Sequence, residues 1–468
     1  MKTPFALAAG YLLSASLLAQ MSASQNPSML PGRNPHSANP ILPGYYADPS
    51  IVQDGGKNYI YATLDPWGGA TLGCWESGDF KNWTYRVLNW PTKAACTSHT
   101  SKGAMVWAPS VVRGPDGKFH MAVSVGNEVW IGVSDHPLGP WHNALGDRPL
   151  IPSDYKPGFH MIDAELFVDD DGVSYLYWGS GLHWVNGHCF VVKLKPDLAG
   201  FDGEARDVTP ANYFEAPFMA KRNGRYFLMY SSGNTTKETY QIHYAVGDSP
   251  FGPFTEPDNS PILVTDKDSN VISPGHHAVF RRDGEDYILY HRHSIPFDPH
   301  FVGRQTCVDR IVFTDNGRIE KVAPTHQGPP LVQGRRESQS DVTAGAIATA
   351  SSHASEFTSP ECVLDDNYAT RWSAAKDAQG AWLQLDLGKV KKVTSQEIRP
   401  EYAWKTYRFT VESSNDGKEW NTVADFTATP ATGSPIVIQK PVTARYLRLV
   451  FANDMKGSDI SVFEWHVY

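Results

Sequence analysis

Apolar and polar positions along residues 40–328 repeat one layout five times. Each copy opens on a distinctive residue and runs into an apolar stretch: Asp48-Pro-Ser-Ile-Val, Trp107-Ala-Pro-Ser-Val, Asp163-Ala-Glu-Leu-Phe, Glu215-Ala-Pro-Phe-Met and His276-His-Ala-Val-Phe. A glycine-containing turn follows each stretch, and an aromatic-rich stretch starts beyond it at Tyr59, Phe119, Tyr175, Tyr226 and Tyr287. Short apolar runs joined by such turns read as β-hairpins. Helical spacing is nearly absent from this part of the chain. The repeat period follows from the opening residues: 107−48 = 59, 163−107 = 56, 215−163 = 52 and 276−215 = 61. A propeller blade takes ~40–50 residues, so each repeat is one blade with longer loops. The predicted fold is all-β, with a five-bladed β-propeller over 40–328.

The polar stretch 329–343, beginning near Pro329-Pro330, reads as a linker. From Ala344 to Tyr468 strands again alternate with short turns, which predicts a β-sandwich of jelly-roll type. The N-terminus follows neither pattern. Lys2 precedes an apolar run from Phe5 to Ala19, and the small residues Ser22, Ala23 and Ser24 follow. This predicts a signal peptide over 1–24 and a secreted or periplasmic protein. The run is shorter than the ~20 residues of a membrane-spanning helix, so no membrane span is expected.

Composition sharpens the picture in three places. Charged residues make up 19% of the chain and hydrophobic ones 41%, which suits a folded core. The formal net charge of -9 disfavours nucleic acid as a partner, because phosphate binding needs a basic surface. The 5 cysteines are Cys74, Cys96, Cys189, Cys307 and Cys362, so at least one stays unpaired within the chain, and a Cys74–Cys96 bridge is one option.

In a propeller the first strand of each blade lines the central channel. The five opening residues, Asp48, Trp107, Asp163, Glu215 and His276, are therefore expected to face the axis together. Three carboxylates in one poorly solvated funnel repel one another, and such an arrangement marks a functional site. Paired carboxylates are the machinery of glycoside hydrolysis: one is ionised and acts on water, the other is protonated and serves the leaving oxygen. A third beside the acid holds it protonated.

The segments Ala47-Asp48-Pro49-Ser50, Val106-Trp107-Ala108-Pro109-Ser110, Ile162-Asp163-Ala164 with Asp169-Asp170-Asp171-Gly172, and Phe214-Glu215-Ala216-Pro217-Phe218 resemble glycoside hydrolase family 43. The resemblance implies a five-bladed propeller and an inverting glycosidase. It implies Asp48 as general base, Asp163 as modulator and orienter, and Glu215 as general acid. It places His276 at the propeller axis near a hydrated cation, often calcium, and Arg304 in the substrate pocket. Trp107, Trp67 and His277 are further candidates for substrate binding. Trp90, Trp130, Trp178 and Trp184 suit a pocket wall or the core equally. The implied substrate is an oligo- or polysaccharide. An exo-acting α-L-arabinofuranosidase is the first expectation and a β-D-galactofuranosidase the second; a β-xylosidase or an endo-arabinanase would also fit the family. A non-catalytic glycan-binding protein is the alternative from another class. The complete carboxylate set argues against it. The retaining fructan-cleaving propellers need an Arg-Asp-Pro stretch and a Glu-Cys motif, where Ile162-Asp163-Ala164 and Phe214-Glu215-Ala216 stand.

The segment Val363-Leu364-Asp365-Asp366-Asn367-Tyr368-Ala369-Thr370-Arg371-Trp372, with Ala381–Gly388 and Ser413–Trp420, resembles the discoidin or coagulation-factor C-type domain, a superfamily that includes carbohydrate-binding module family 32. The resemblance implies a structural calcium held by Asp365, Asn367, Thr370 and Glu464. Oxygen ligands of this kind suit that ion. No organic cofactor is implied. Tyr402 and Trp404 are candidates for sugar contact on a rim of the sandwich, which would then tether the enzyme to a polysaccharide. Nothing in these patterns specifies the oligomeric state.

Overall fold

The computed structural model describes residues 30–335 and 341–468. The predicted signal peptide lies outside the described residues, as does part of the predicted linker. No helix among the described residues is long and apolar enough to cross a membrane.

The first blade is the antiparallel sheet β1 (Tyr46–Asp54), β2 (Lys57–Leu64), β3 (Gly73–Ser77) and β4 (Thr84–Arg86). The second is β5 (Val106–Arg113), β6 (Phe119–Val125), β7 (Glu128–Ser134) and β8 (His142–Asn143). The third is β9 (Glu165–Val168), β10 (Ser174–Trp178), β11 (Phe190–Lys193) and β12 (Arg206–Asp207). The fourth is β13 (Glu215–Arg222), β14 (Arg225–Ser232) and β15 (Gln241–Gly247), and the fifth is β16 (Gly275–Arg282), β17 (Glu285–His293) and β18 (Arg304–Arg310). Each first strand meets its second through the glycine turn seen in the sequence.

The cores lie between blades. Tyr59 and Tyr61 of the first blade pack with Met121 and Trp130 of the second. Ile131 of the second packs with Leu176 and Trp178 of the third. Tyr177 meets Leu228 and Tyr230, and Tyr244 meets Ile288 and Tyr290. The ring closes where Trp75 and Ile60 meet Phe280 and Leu289. A polar seam reinforces this closure. The Ile41 N–H donates to the Thr306 carbonyl at 2.9 Å, and the Asn39 carboxamide both accepts from Val308 N–H at 2.9 Å and donates to its carbonyl at 2.8 Å. Asn39 and Ile41, which make these bonds from the N-terminal side, both precede β1.

The repeat register differs by one residue from the expected one in two blades. Pairing slips between Ala47 and Ser50, Trp107 and Pro109, Glu215 and Phe218, and Gly275 and Ala278. At the slip, or just before β9, one non-glycine residue takes a left-handed backbone: Asp48 (φ 52°), Ala108 (44°), Asp163 (57°), Ala216 (55°) and His276 (35°). These five are the true equivalents. Trp107 and Glu215 stand one residue earlier in their blades. A β-bulge re-aims side chains, so residues from two adjacent repeat positions reach the same axis. Left-handed non-glycine residues cost about 1–3 kcal/mol each and gather at active sites.

The C-terminal domain is a sandwich of two sheets. One holds β19 (Ile347–Ala350), β21 (Trp382–Val393), β23 (Phe409–Ser414), β24 (Asn421–Asp425) and β26 (Val442–Phe451); the other holds β20 (Trp372–Ser373), β22 (Gln396–Pro400), β25 (Ile436–Ile438) and β27 (Ser461–Val467). Leu383, Leu385, Leu447, Leu449 and Trp465 fill the space between them. The domain sits directly on the propeller. The Tyr85 N–H donates to the Ser434 carbonyl at 2.7 Å, and Arg399 Nη1 donates to the Trp83 carbonyl at 2.8 Å. The Asn367 carboxamide donates to the carbonyls of Gly32 and Asn34 at 2.9 and 3.0 Å. Tyr402 and Trp404 pack on Tyr45 and Tyr46 of the propeller, with ring centroids 6.2 and 5.9 Å apart. They lie at the interface between the two domains, partly buried.

All five cysteines are buried free thiols, so the Cys74–Cys96 bridge does not form. Both are buried in the same apolar core between the first two blades.

Candidate active site

A cavity of ≈ 250 Å³ opens at the axis of the propeller, and Asp48, Asp163, Glu215, His276 and Arg304 line it. Asp48 is fully engaged. Its Oδ2 accepts from the Thr63 hydroxyl at 2.7 Å, and its Oδ1 accepts from Arg304 Nη1 at 2.9 Å. His276 Nδ1 stands 3.2 Å from the same Oδ1. The backbone N–H of Asp48 donates to His291 Nδ1 at 3.2 Å, which fixes the left-handed turn. Burial would raise the pKa of Asp48, but the Arg304 guanidinium and the neighbouring His276 and His291 outweigh it and hold the carboxyl far below the usual carboxylate range. Asp48 is therefore ionised.

Arg304 owes its position to Asp65. Its Nε and Nη2 close a fork on the two Asp65 carboxylate oxygens at 2.9 and 2.7 Å, and its backbone N–H adds a third bond at 2.8 Å. Its third nitrogen is left to reach Asp48. A planar guanidinium suits such a double task, and a lysine does not.

Glu215 lives in the opposite environment. Tyr240 donates to its Oε1 at 2.7 Å and Ser180 to its Oε2 at 3.0 Å. Among the described residues, no cation pairs with it directly. Burial pushes it up to about 7 against the pull of those two hydroxyls, and the Asp48 charge adds to the rise. Asp163 is raised well above the usual range by burial, then by the charges of Glu215 and Asp48. The site thus holds one carboxylate as an anion and a buried pair that keeps a proton to near neutrality. This separation of environments is what sets acid apart from base.

Aromatic rings wall the cavity. Trp184 stacks on Phe214 at 5.7 Å between centroids, and Trp67 stands 6.3 Å from Trp184. Trp67 and Trp184 are about two-fifths exposed, at 40% and 38%, which places their faces at the mouth. Trp67 also covers Arg304, whose guanidinium carbon lies 5.4 Å from its ring centroid. Trp107 lines the cavity and anchors its indole N–H on the Gly126 carbonyl at 3.0 Å. His160 and His183 complete one side.

Most of the predicted site residues meet here; some do not. His277 is buried at 3% exposure and packs on Phe218, 5.4 Å between ring centroids. It lies behind the cavity wall because the bulge at His276 sends the next side chain to the other face. Trp90, Trp130 and Trp178 are core residues. Asp65, Tyr240, Ser180, His160, His183 and His291 were not singled out by sequence. Asp65 and Arg304 are 239 residues apart, and Glu215 in β13 meets Tyr240 from the loop before β15, so no local spacing signals either pair.

The predicted calcium ligands divide. Asp365 and Glu464 approach closely enough that their charges raise Asp365, after burial, well above the usual range. The Asn367 N–H donates to both, at 3.1 and 2.9 Å. Two converging carboxylates fit a hard cation. The other two are engaged locally: Asn367 donates its carboxamide N–H groups to the N-terminal segment while its Oδ1 accepts from the Ala369 N–H at 2.9 Å, and Thr370 donates its hydroxyl to Asp365 at 2.6 Å. His276 turns Nδ1 towards Asp48 and Asp163, at 3.2 and 3.7 Å. Among the described residues, no three His, Cys, Asp or Glu side chains gather as a metal cluster.

An axial pocket with one anchored carboxylate, one protonated partner and aromatic walls defines a glycosidase. The chain belongs to glycosyl hydrolases family 43, whose family model matches residues 37–319, and an F5/8 type C domain matches 347–464. It is similar to the β-D-galactofuranosidase xynD of Aspergillus niger, with 34% identity over 64% of this chain and 88% of that protein. It is 27% identical to an arabinoxylan arabinofuranohydrolase of Bacillus subtilis over 62% of this chain and 65% of that one. A solved structure described as a glycoside hydrolase, 28% identical, matches 95% of this chain and all of its own with a TM-score of 0.78, so the likeness runs through both domains. A thermostable family-43 glycoside hydrolase, 27% identical, matches 61% of this chain and 95% of its own at 0.51.

Proposed function

We propose that the protein is an exported, inverting, exo-acting glycosidase that removes terminal furanosyl residues, α-L-arabinofuranosyl or β-D-galactofuranosyl, from polysaccharide side chains. The observation that carries the mechanism is the contrast between Asp48, charge-paired with Arg304 at 2.9 Å, and Glu215, held by hydroxyls alone. Asp48 takes a proton from water as the water oxygen attacks the anomeric carbon. Glu215 gives its proton to the departing glycosidic oxygen, and the sugar leaves with inverted anomeric configuration. Asp163, itself raised by burial and by the Glu215 charge, is the third carboxyl of the site and orients the acid. Trp67, Trp107 and Trp184 offer flat faces to the sugar ring.

Three features support the finer points. The Trp67–Trp184 approach at 6.3 Å bridges one side of the mouth, which suits a chain end better than a mid-chain segment. The two named sugars share the configuration of their furanose ring and differ in the exocyclic arm, so one pocket serves both; the Aspergillus and Bacillus relatives carry these two activities by name. The leader-like residues before Gln25 support export. We extend the proposal to a calcium ion at Asp365 and Glu464 that would neutralise their repulsion and tie the Asp365 loop to the last strand. A panel of aryl α-L-arabinofuranoside, β-D-galactofuranoside, β-D-xyloside and β-D-galactoside tests the substrate. Turnover of either furanoside, absent in Asp48→Ala, is the expected result. Turnover of the xyloside alone would overturn the furanosidase reading.

A further inference from the structure

We propose that the C-terminal domain is a positioning element of the active site, acting through Gln305 and Tyr45. This rests on the reading of Asp48 as base. Gln305 follows Arg304 in β18, and successive side chains in a strand point to opposite faces. Arg304 therefore turns to the axis while Gln305 turns to the other domain. Gln305 is buried at 1% exposure and donates its Nε2 to the Tyr368 carbonyl at 2.8 Å. Tyr368 is itself held, with the Arg335 and Arg399 guanidinium carbons 4.0 and 5.9 Å from its ring centroid. The acceptor for Gln305 is thus held by Arg399 of the sandwich and Arg335 of the linker.

Tyr45 repeats the arrangement at the other partner. It lies three residues before Asp48, and its ring meets Tyr402 and Phe463 of the C-terminal domain at 6.2 and 6.4 Å between centroids. Arg371, paired with Glu401 at 2.9 Å, covers the same ring at 5.7 Å. The Tyr45 carbonyl accepts from the Asp65 N–H at 3.2 Å, and Asp65 is the residue that forks onto Arg304. The C-terminal domain therefore grips the backbone beside both members of the Arg304–Asp48 contact. Small errors at such a contact are amplified, since a 1 Å misplacement costs up to about 10²-fold in rate. Tyr45 and Gln305 touch no substrate; they act through Asp48 and Arg304.

A double-mutant cycle in the full chain tests this. Gln305→Ala and Arg304→Lys are made singly and together, and kcat and KM are measured on the aryl furanoside that the wild type cleaves. Gln305→Ala is expected to lower kcat about three- to tenfold, with KM nearly unchanged. In the Arg304→Lys background the same change is expected to cost less than about twofold, because its route to Asp48 is already broken. Equal losses in both backgrounds, or no loss in a folded Gln305→Ala protein, would overturn the proposal. Tyr45→Leu carried through the same cycle gives a second reading should Gln305→Ala not fold. Asp48→Asn run alongside separates the two levels. Retained turnover there sinks the base assignment, whereas equal losses across the cycles sink the positioning role alone.

Discussion

Nη1 of Arg304 stands 2.9 Å from Oδ1 of Asp48, in a place where each side chain is about 95% buried. Removing the cation leaves the Asp48 and Asp65 carboxylates without their counter-charge. Arg304→Met is expected to cost about 3–5 kcal/mol of stability at neutral pH, read as a lowered thermal midpoint. The sign of its pH dependence follows from Asp48, whose folded pKa is depressed. Wild-type stability from this group is complete above the unfolded value near 4 and is lost as pH falls through the folded one. The gap between wild type and variant is therefore expected to narrow below about pH 4. A gap independent of pH would argue against the pairing.

Glu215, raised to about 7, predicts an alkaline limb. Its protonated form does the work, so kcat/KM is expected to fall as pH rises through about 7. In Glu215→Gln that limb should vanish. Activity on poor leaving groups should drop about 10²–10⁴-fold, with much smaller losses on nitrophenyl substrates whose departure needs no proton. Equal losses on both substrate types would remove Glu215 from the role of acid.

The mouth aromatics make a separable contribution. Trp184→Ala is expected to raise KM about three- to tenfold with a smaller change in kcat, since a stacked ring contributes about 0.5–1.5 kcal/mol beyond its area. Trp67→Ala should do more to kcat, because the same ring covers Arg304. Steady-state kinetics of the two variants, compared side by side, decide this.

Calcium is expected to raise the thermal midpoint of the wild-type protein, by about 2.7 kcal/mol of stability at a hundredfold excess over Kd. Asp365→Ala should abolish the response. A response that survives the substitution would place the ion elsewhere.

The repeats, the three carboxylates and Arg304 were legible because each sits in a local motif whose spacing survives folding. The exact register was not. A bulge adds one residue without changing the apolar pattern, so Trp107 and Glu215 aligned falsely with Asp48, and His277 was placed in a pocket that it backs away from. Asp65 was invisible for a different reason: its carboxylate matters only through a partner 239 residues away. That Tyr402 and Trp404 pack on Tyr45 and Tyr46 was equally invisible, because the sequence says nothing about which face of the sandwich meets the propeller.

The seam of the ring has a consequence for how the chain comes together. Thr306 bonds the Tyr46 carbonyl across 260 residues, and Val308 bonds Asn39 across 269. Each hairpin can form as soon as its two strands exist, but the circle stays open until the fifth blade arrives. Loop closure over such lengths is entropically late and slow. The Arg304–Asp48 contact spans the same gap, so it too waits for the fifth blade. A chain interrupted before the fifth blade would carry Asp48, Asp163 and Glu215 and still have no anchored base.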